Sequence, residues 1–431
     1  MEQNKKRLVL NTIYMYILSF AKLIIPLISL PYLTKVLSVE CVGSVSFVKS
    51  IISYMQILID FGFLLSATKD IVGIIKNKGK VDREVGNTLY AQILFSAVAI
   101  IVIVICSYSL EILDGYELYT ILSVIPVVLS IFLFEYVFRA YEEMSKISLR
   151  YVVMRLIALV LTLIFVKSDS QVILMPIFDI IASFVAVILV IVQLKKLGVK
   201  CDFSFKRIKD AFVSIKKSCV YFFTNFMSSA FSLFNTLLIG VILTKQDVAY
   251  WTVAFQFLTA IQTMYNPIIS SVYPLMLKEK KLKVIHQIML IFMPIILVGS
   301  VAVYFLSDWF VTLVFGDAYI YSGTIIRWII PVIIASFPAM LYAWPCFSVI
   351  NKEKVNTIIT INCAVIQIIG IVVLIIADMF TLINLAIVRS VVEVILAILR
   401  VVAVYRYKKN FACADVSAQQ VSEEIVEIEK K

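Results

Sequence analysis

The sequence is short of charge and nearly without histidine. Only 16% of its 431 residues are Asp, Glu, Lys or Arg, against about a quarter in a typical soluble chain. That deficit argues against a water-soluble globular protein. The single histidine, His286, argues against a His-based metal centre and against a Ser–His nucleophile. CxxC pairs are also missing. Cys41, Cys106, Cys201, Cys219, Cys346, Cys363 and Cys413 stand apart, most of them in or beside apolar runs. They read as small buried hydrophobes or exposed free thiols, not as a disulfide or zinc framework. There is no GxxxxGK[ST] loop for ATP, no HExxH pair and no long polar segment to house chemistry. No cofactor, no metal and no catalytic residues are expected, and the chain reads as a carrier and not an enzyme.

What the sequence has is hydrocarbon. It is 62% hydrophobic, with a mean hydropathy of +1.00. A bilayer span takes about 20 mostly apolar residues, and roughly twelve fit here. They are placed at 8–37, 42–68, 85–110, 117–140, 146–167, 171–194, 212–243, 247–276, 284–306, 322–350, 355–377 and 379–405. The first run is far longer than a signal-peptide core, and no small-residue cleavage site follows it, so it is expected to be retained. Residues 307–321, rich in aromatics and broken by Gly316 and Asp317, are expected to lie at an interface.

The net charge of +11 is patterned. Lys and Arg gather before span 1 and in the loops after spans 2, 4, 6, 8 and 10, and after span 12. The loops between are nearly free of cations. This alternation predicts an even number of spans with both termini cytoplasmic. It also assigns the basic charge to membrane orientation, and no nucleic-acid partner is expected. The expected fold is all-α: about twelve transmembrane helices in two six-helix lobes. The N-terminal lobe covers 1–196 and a basic cytoplasmic linker 197–211. The C-terminal lobe covers 212–409 and a polar cytoplasmic tail 410–431. Two six-span halves of one orientation would be parallel repeats. Leu37–Val42–Gly43 matches Leu243–Val248–Ala249 at an offset that places Asp60 over Asn266.

Some polar residues sit where insertion gives them no role. An ionisable group at bilayer depth costs about 3 kcal/mol on insertion scales and usually faces a bundle interior or wet cavity. In span 2, Lys49, Ser53, Gln56 and Asp60 recur at helical spacing on one face. Lys22 lies inside span 1. Spans 7 and 8 carry uncharged stripes that include Asn225, Asn235, Gln256 and Asn266. Interhelical hydrogen bonding accounts for most of the Ser and Thr. Lys22, Lys49, Gln56, Asn225, Asn235, Gln256 and Asn266 are expected to line a shared cavity. Asp60 and Asp179 are candidates for ion coupling, or for pairing with a cation on another helix. Glu135 with Arg139, and Arg389 with Glu393, have the i,i+4 spacing of helical ion pairs, and Arg155 is placed to snorkel. Pro26 and Pro31 in span 1, and Pro267 and Pro274 in span 8, are candidate kinks or hinges.

The opening stretch from Leu10 to Ile71 is similar to that of Wzx-type polysaccharide flippases of the multidrug/oligosaccharidyl-lipid/polysaccharide (MOP) exporter superfamily. The elements that carry the similarity are Pro31-Tyr32-Leu33, the turn at Cys41–Gly43, Asp60-Phe61-Gly62-Phe63 and Ser66 to Asp70. Arg139 to Ile147, Asn235 to Gly240, Ala249-Tyr250-Trp251, Val272-Tyr273-Pro274 and Phe315 to Tyr319 resemble later parts of that family. Ala249 stands where members usually have Gly, and Gln256 and Gln262 replace cations found in some relatives.

The resemblance implies a MATE-like V of two six-helix lobes that alternates between inward and outward openings. It implies a multi-pass protein of the bacterial cytoplasmic membrane. The cargo it implies is an undecaprenyl-diphosphate-linked oligosaccharide for O-antigen, lipopolysaccharide or capsule. Membrane lipids and polymerase or chain-length machinery are the implied partners. Two other functions fit the sequence: a proton- or sodium-coupled small-molecule exporter of the same fold, and a membrane glycosyltransferase or polymerase.

Overall fold

A computed structural model describes residues 2–200, 208–408 and 411. It does not describe the side chains of 2–9, 208–209, 224–225, 227–233, 274 and 277–279. Fifteen α-helices follow one another: α1 (Glu2–Val36), α2 (Val39–Asp60), α3 (Phe63–Ile74), α4 (Lys78–Ser109), α5 (Glu117–Ser130), α6 (Glu135–Ala140), α7 (Met144–Phe165), α8 (Leu174–Leu197), α9 (Ile208–Ile242), α10 (Lys245–Glu279), α11 (Leu282–Phe315), α12 (Ile320–Leu341), α13 (Trp344–Phe347), α14 (Glu353–Ile376) and α15 (Leu382–Arg406). No strand occurs among the described residues.

By length and composition, nine of these helical segments can cross a membrane. The polar-striped α2, α9 and α10 have 22, 35 and 35 residues. At about 1.5 Å per residue each reaches at least about 33 Å, enough for a hydrocarbon core about 30 Å thick. The protein is an all-α, multi-pass membrane protein of about twelve spans.

Capping explains several helix starts. Ser38 Oγ accepts the Cys41 amide, Asn77 Oδ1 accepts that of Lys80 and Thr381 Oγ1 accepts that of Asn384. Each satisfies a donor that the first helical turn leaves open.

The helices depart from the expected spans in three places. Span 2 stops at Asp60, because Phe61 and Gly62 take positive φ of 35° and 75° and α3 starts afresh at Phe63. Tertiary packing holds that break. The Phe61 ring stacks between Phe95 and Phe222, with centroids 4.3 and 4.4 Å away, and a side chain on Gly62 would run into the Tyr221–Phe222 backbone of α9. Span 4 is broken by a short 3₁₀ turn at Ile131–Leu133 and by Phe134 at φ 45°. Residues 307–315 do not form a separate interfacial segment. They continue α11, which ends only at Gly316 (φ 100°).

Contacts divide the chain into two units, 1–249 and 250–431. In the first unit α7 packs on α1 and α8, α8 on α5, and α9 on α2, α3 and α4. The N-terminal part of α9 is fastened by Arg83–Asp210 at 2.5 Å, Lys217–Asp70 at 3.0 Å and Ser66–Ser218 at 2.6 Å. At its other end Gly43 lies so close to the Lys245 carbonyl that no Cβ would fit. The contact boundary therefore falls one helix beyond the basic linker at 197–211. In the second unit α12 is central, packing on α11 and α15, with α14 against α15.

Cys41, Cys106, Cys219, Cys346 and Cys363 are free thiols. Cys201, Cys413 and most of the 410–431 tail lie outside the described residues.

Candidate functional site

Four helices of the first unit bring charge together at bilayer depth. Lys49 stands near the midpoint of α2, about 15 Å from either end at about 1.5 Å per residue. Arg155 and Asp179, on α7 and α8, pair at 3.3 Å with side chains 43% and 39% exposed. Lys49 is within electrostatic reach of both. Lys22 on α1 lies 5.4 Å from the centre of the Tyr151 ring, and Arg155 reaches the same ring at 5.8 Å. Both distances suit cation–π attraction, which holds to about 6 Å. Lys22 and Lys49 are exposed and Tyr151 is half-buried, so the cluster is open to a ligand. Lys49 and Arg155 thus share one carboxylate, Asp179.

A second group adjoins it. Gln56 Nε2 donates to Asp60 Oδ1 at 3.0 Å and lies 3.2 Å from Ser130 Oγ. Asp60 is within electrostatic reach of Lys22 and Glu135. Hydroxyl and amide groups beside a cationic face can bind a ligand that is anionic at one end and polyhydroxylated at the other.

One expected pairing is corrected. Glu135 meets Arg150 at 3.5 Å, not Arg139. Phe134 breaks the helix just before Glu135 and turns it towards α7, where the almost fully buried Arg150 also donates to the Leu133 carbonyl at 3.1 Å. Arg155, placed to snorkel by its position in the span, finds a partner in Asp179 on the next helix. Sequence reasoning missed Arg155 and Tyr151 as members of the site. Their i,i+4 spacing, opposite an unpaired Asp179 in the following span, was the available signal.

The remaining candidates lie elsewhere. Asn235 is fully buried in the first unit and is not on the open polar face. The Asn225 side chain is outside the described residues. Gln256, half-buried, and Asn266, exposed, belong to α10 in the second unit. On the same helix Thr259 and Thr263 bond back to the carbonyls of Phe255 and Thr259 at 2.8 and 2.7 Å. Pro26 and Pro31 lie within the unbroken α1, and Pro267 and Pro274 within α10, the side chain of Pro274 being outside the described set.

In the second unit the membrane-depth arginines are all engaged. Arg389 pairs with Glu393 at 2.6 Å, both buried, as their spacing predicts. Arg327 pairs with Asp308. Arg400 donates to the Ala339 carbonyl at 2.8 Å and to Thr360 Oγ1 at 3.0 Å. No cluster of His, Cys, Asp and Glu that could hold a metal is found among the described residues.

The family model described as polysaccharide biosynthesis protein matches residues 8–280. The chain belongs to this family. A putative O-antigen transporter of Shigella dysenteriae is 24% identical over 366 residues, covering 83% of this chain and 90% of that protein. A putative O-antigen transporter of Escherichia coli K12 is 26% identical over 283 residues, covering 64% and 66%. Solved structures share the fold. Lipid II flippase MurJ, in an inward closed conformation, superposes with a TM-score of 0.71 at 14% identity, covering 95% of this chain and 90% of that one. An inward-facing MATE-family multidrug transporter of the MOP superfamily gives 0.67 at 15%, covering 92% and 95%. The resemblance to Wzx-type members of that superfamily is borne out, and the family member described here is a membrane transporter and not an enzyme.

Proposed function

We propose that the protein flips undecaprenyl-diphosphate-linked oligosaccharide repeat units across the bacterial cytoplasmic membrane by alternating access. Lys22, Lys49 and Arg155 attract the diphosphate. The observation that carries this is that Lys22, Lys49 and Arg155 outnumber the carboxylates beside them, Asp60 and Asp179. Two positive charges without an ion-pair partner at bilayer depth are costly, and a diphosphate offsets them. Gln56 and Asp60 are placed to meet sugar hydroxyls, and the uncharged stripe of α10, with Gln256 and Asn266, supplies further polar contacts. The lipid tail stays in hydrocarbon. The relatives named as O-antigen transporters and the lipid II flippase of similar fold support this cargo class.

Both termini are cytoplasmic in this scheme, and the six-span lobes at 1–196 and 212–409 are the bodies that rock. Asp60 and Asp179 are the carboxylates through which a coupling ion would act. Surface O-antigen, lipopolysaccharide or capsule is the destination of the cargo, and polymerase or chain-length machinery receives it.

The test is export of surface polymer in cells carrying Lys22→Ala or Lys49→Ala, with membrane levels of the protein measured alongside. Loss of polymer at normal protein levels is expected. Normal polymer in both variants would remove the cations from the mechanism. Drug resistance on overexpression without any change in polymer would instead identify a small-molecule exporter.

A further inference from the structure

Outside the central cluster, exposed lysines gather where two loops converge at the end of the first unit that holds the start of α4 and the end of α8. Lys76, Lys78 and Lys80 surround the N-terminus of α4, and Lys195, Lys196 and Lys200 surround the C-terminus of α8. All six are exposed. The loops are far apart in the chain and joined in space. The Lys200 amide donates to Asp82 Oδ1 at 2.8 Å across 118 residues. The Lys78 ammonium lies 3.1 Å from where a side chain on Gly198 would begin. Gly198 holds the left-handed C-cap of α8, with φ 68°, and its missing side chain leaves room for that ammonium. Beneath, Val81, Val85, Leu194 and Val199 belong to one apolar core, so the two loops are held in register.

Neighbouring cations are neutralised and these are not. Arg83, Lys217 and Lys146 pair with Asp210, Asp70 and Glu143 at 2.5, 3.0 and 3.3 Å. Asp82 accepts the Lys200 amide and sets one negative charge against six positive ones. Membrane orientation needs cations counted loop by loop. It does not need two distant loops to converge and leave six ammoniums together without a carboxylate partner among the described residues. Such repulsion is relieved by an external anion. Both α4 and α8 can cross a membrane by length and composition, and lysines that flank a span can reach lipid phosphate.

We propose that this six-lysine surface is a binding site for the phosphate headgroups of resident anionic phospholipids, separate from the site that holds the transported cargo. Clusters of four to eight basic residues beside a span have the charge density for such binding.

The experiment is thermal unfolding of the purified full-length protein in neutral detergent, titrated with phosphatidylglycerol or phosphatidylcholine. Phosphatidylglycerol is expected to raise the midpoint saturably and phosphatidylcholine to leave it unchanged. In K78Q/K80Q/K200Q, which keeps Lys76, Lys195 and Lys196 for orientation, the concentration needed rises about a hundredfold. The response of the unaltered protein also weakens from about 0.05 to 0.5 M salt, as screening shortens. If the triple variant does not fold, K195Q/K196Q takes its place, with about a thirtyfold rise. Equal stabilisation of variant and unaltered protein by phosphatidylglycerol overturns the proposal, as does no response in the unaltered protein. Undecaprenyl diphosphate acting at far lower concentration than phosphatidylglycerol, and losing its effect in the triple variant, would reassign the surface to the cargo lipid. Lys22 and Lys49 are intact in both variants, so failure here leaves the flippase proposal standing.

Discussion

The two units treat membrane-depth charge differently. In the second, each arginine inside a span has its partner: Arg389 with Glu393, Arg327 with Asp308, and Arg400 with a carbonyl and a hydroxyl. In the first, Lys22 and Lys49 have no carboxylate at ion-pair distance among the described residues, and the nearby Arg155–Asp179 pair is half-exposed. The second unit uses charge to hold helices together. The first keeps charge in reserve. A paired charge stabilises a fold; an unpaired one, held at a cost, can attract something that comes and goes.

Substitutions can break that contrast, and the largest effect is expected where charge is structural. Arg389→Ala leaves Glu393 buried without its partner and should cost about 3–5 kcal/mol. Thermal unfolding in detergent would show the loss, and R389M/E393L should recover most of it. Lys49→Ala should leave the unfolding midpoint near normal yet reduce transport of a lipid-linked oligosaccharide in vesicles tenfold to a hundredfold. That range corresponds to a charged hydrogen bond of about 1.5–3 kcal/mol.

A smaller change follows Asp179→Asn. The Arg155–Asp179 pair is half-exposed, and such pairs contribute about 0–1 kcal/mol, so stability should barely move. Binding of pyrophosphate, followed by calorimetry, should tighten because a competing carboxylate is gone. The smallest effect is expected for Asn266→Ala, an exposed position on α10. It should alter stability by less than about 0.5 kcal/mol and transport by less than about twofold. A large transport defect there would show that Asn266 is more than one of several interchangeable polar contacts.

Much of this contrast was legible in the chain. Spans could be read from apolar runs, and the Arg389–Glu393 pair from helical spacing, because both are local. Lys22 and Lys49 stood out because their depth along an apolar segment is also local. The partners of Glu135 and Asp179 were not legible. They lie 15 and 24 residues away on other helices, and no periodicity links one helix to the next. The break at Phe61 was hidden for a related reason. Phenylalanine carries no preference for left-handed backbone, and the rings that hold it come from α4 and α9.

The fastening of α9 has a kinetic consequence. Arg83–Asp210 and Lys217–Asp70 are largely solvent-exposed, with the less accessible partners still 36% and 33% exposed, and such pairs hold by about 1 kcal/mol or less. The Ser66–Ser218 hydroxyl contact adds about 0.5–1.5 kcal/mol. Parting these three contacts therefore costs a few kcal/mol at most. At that height the polar contacts alone part far faster than the microsecond-to-millisecond period of domain motions. The slow step of any movement of α9 is set by its apolar packing, above all the stacked rings of Phe61, Phe95 and Phe222.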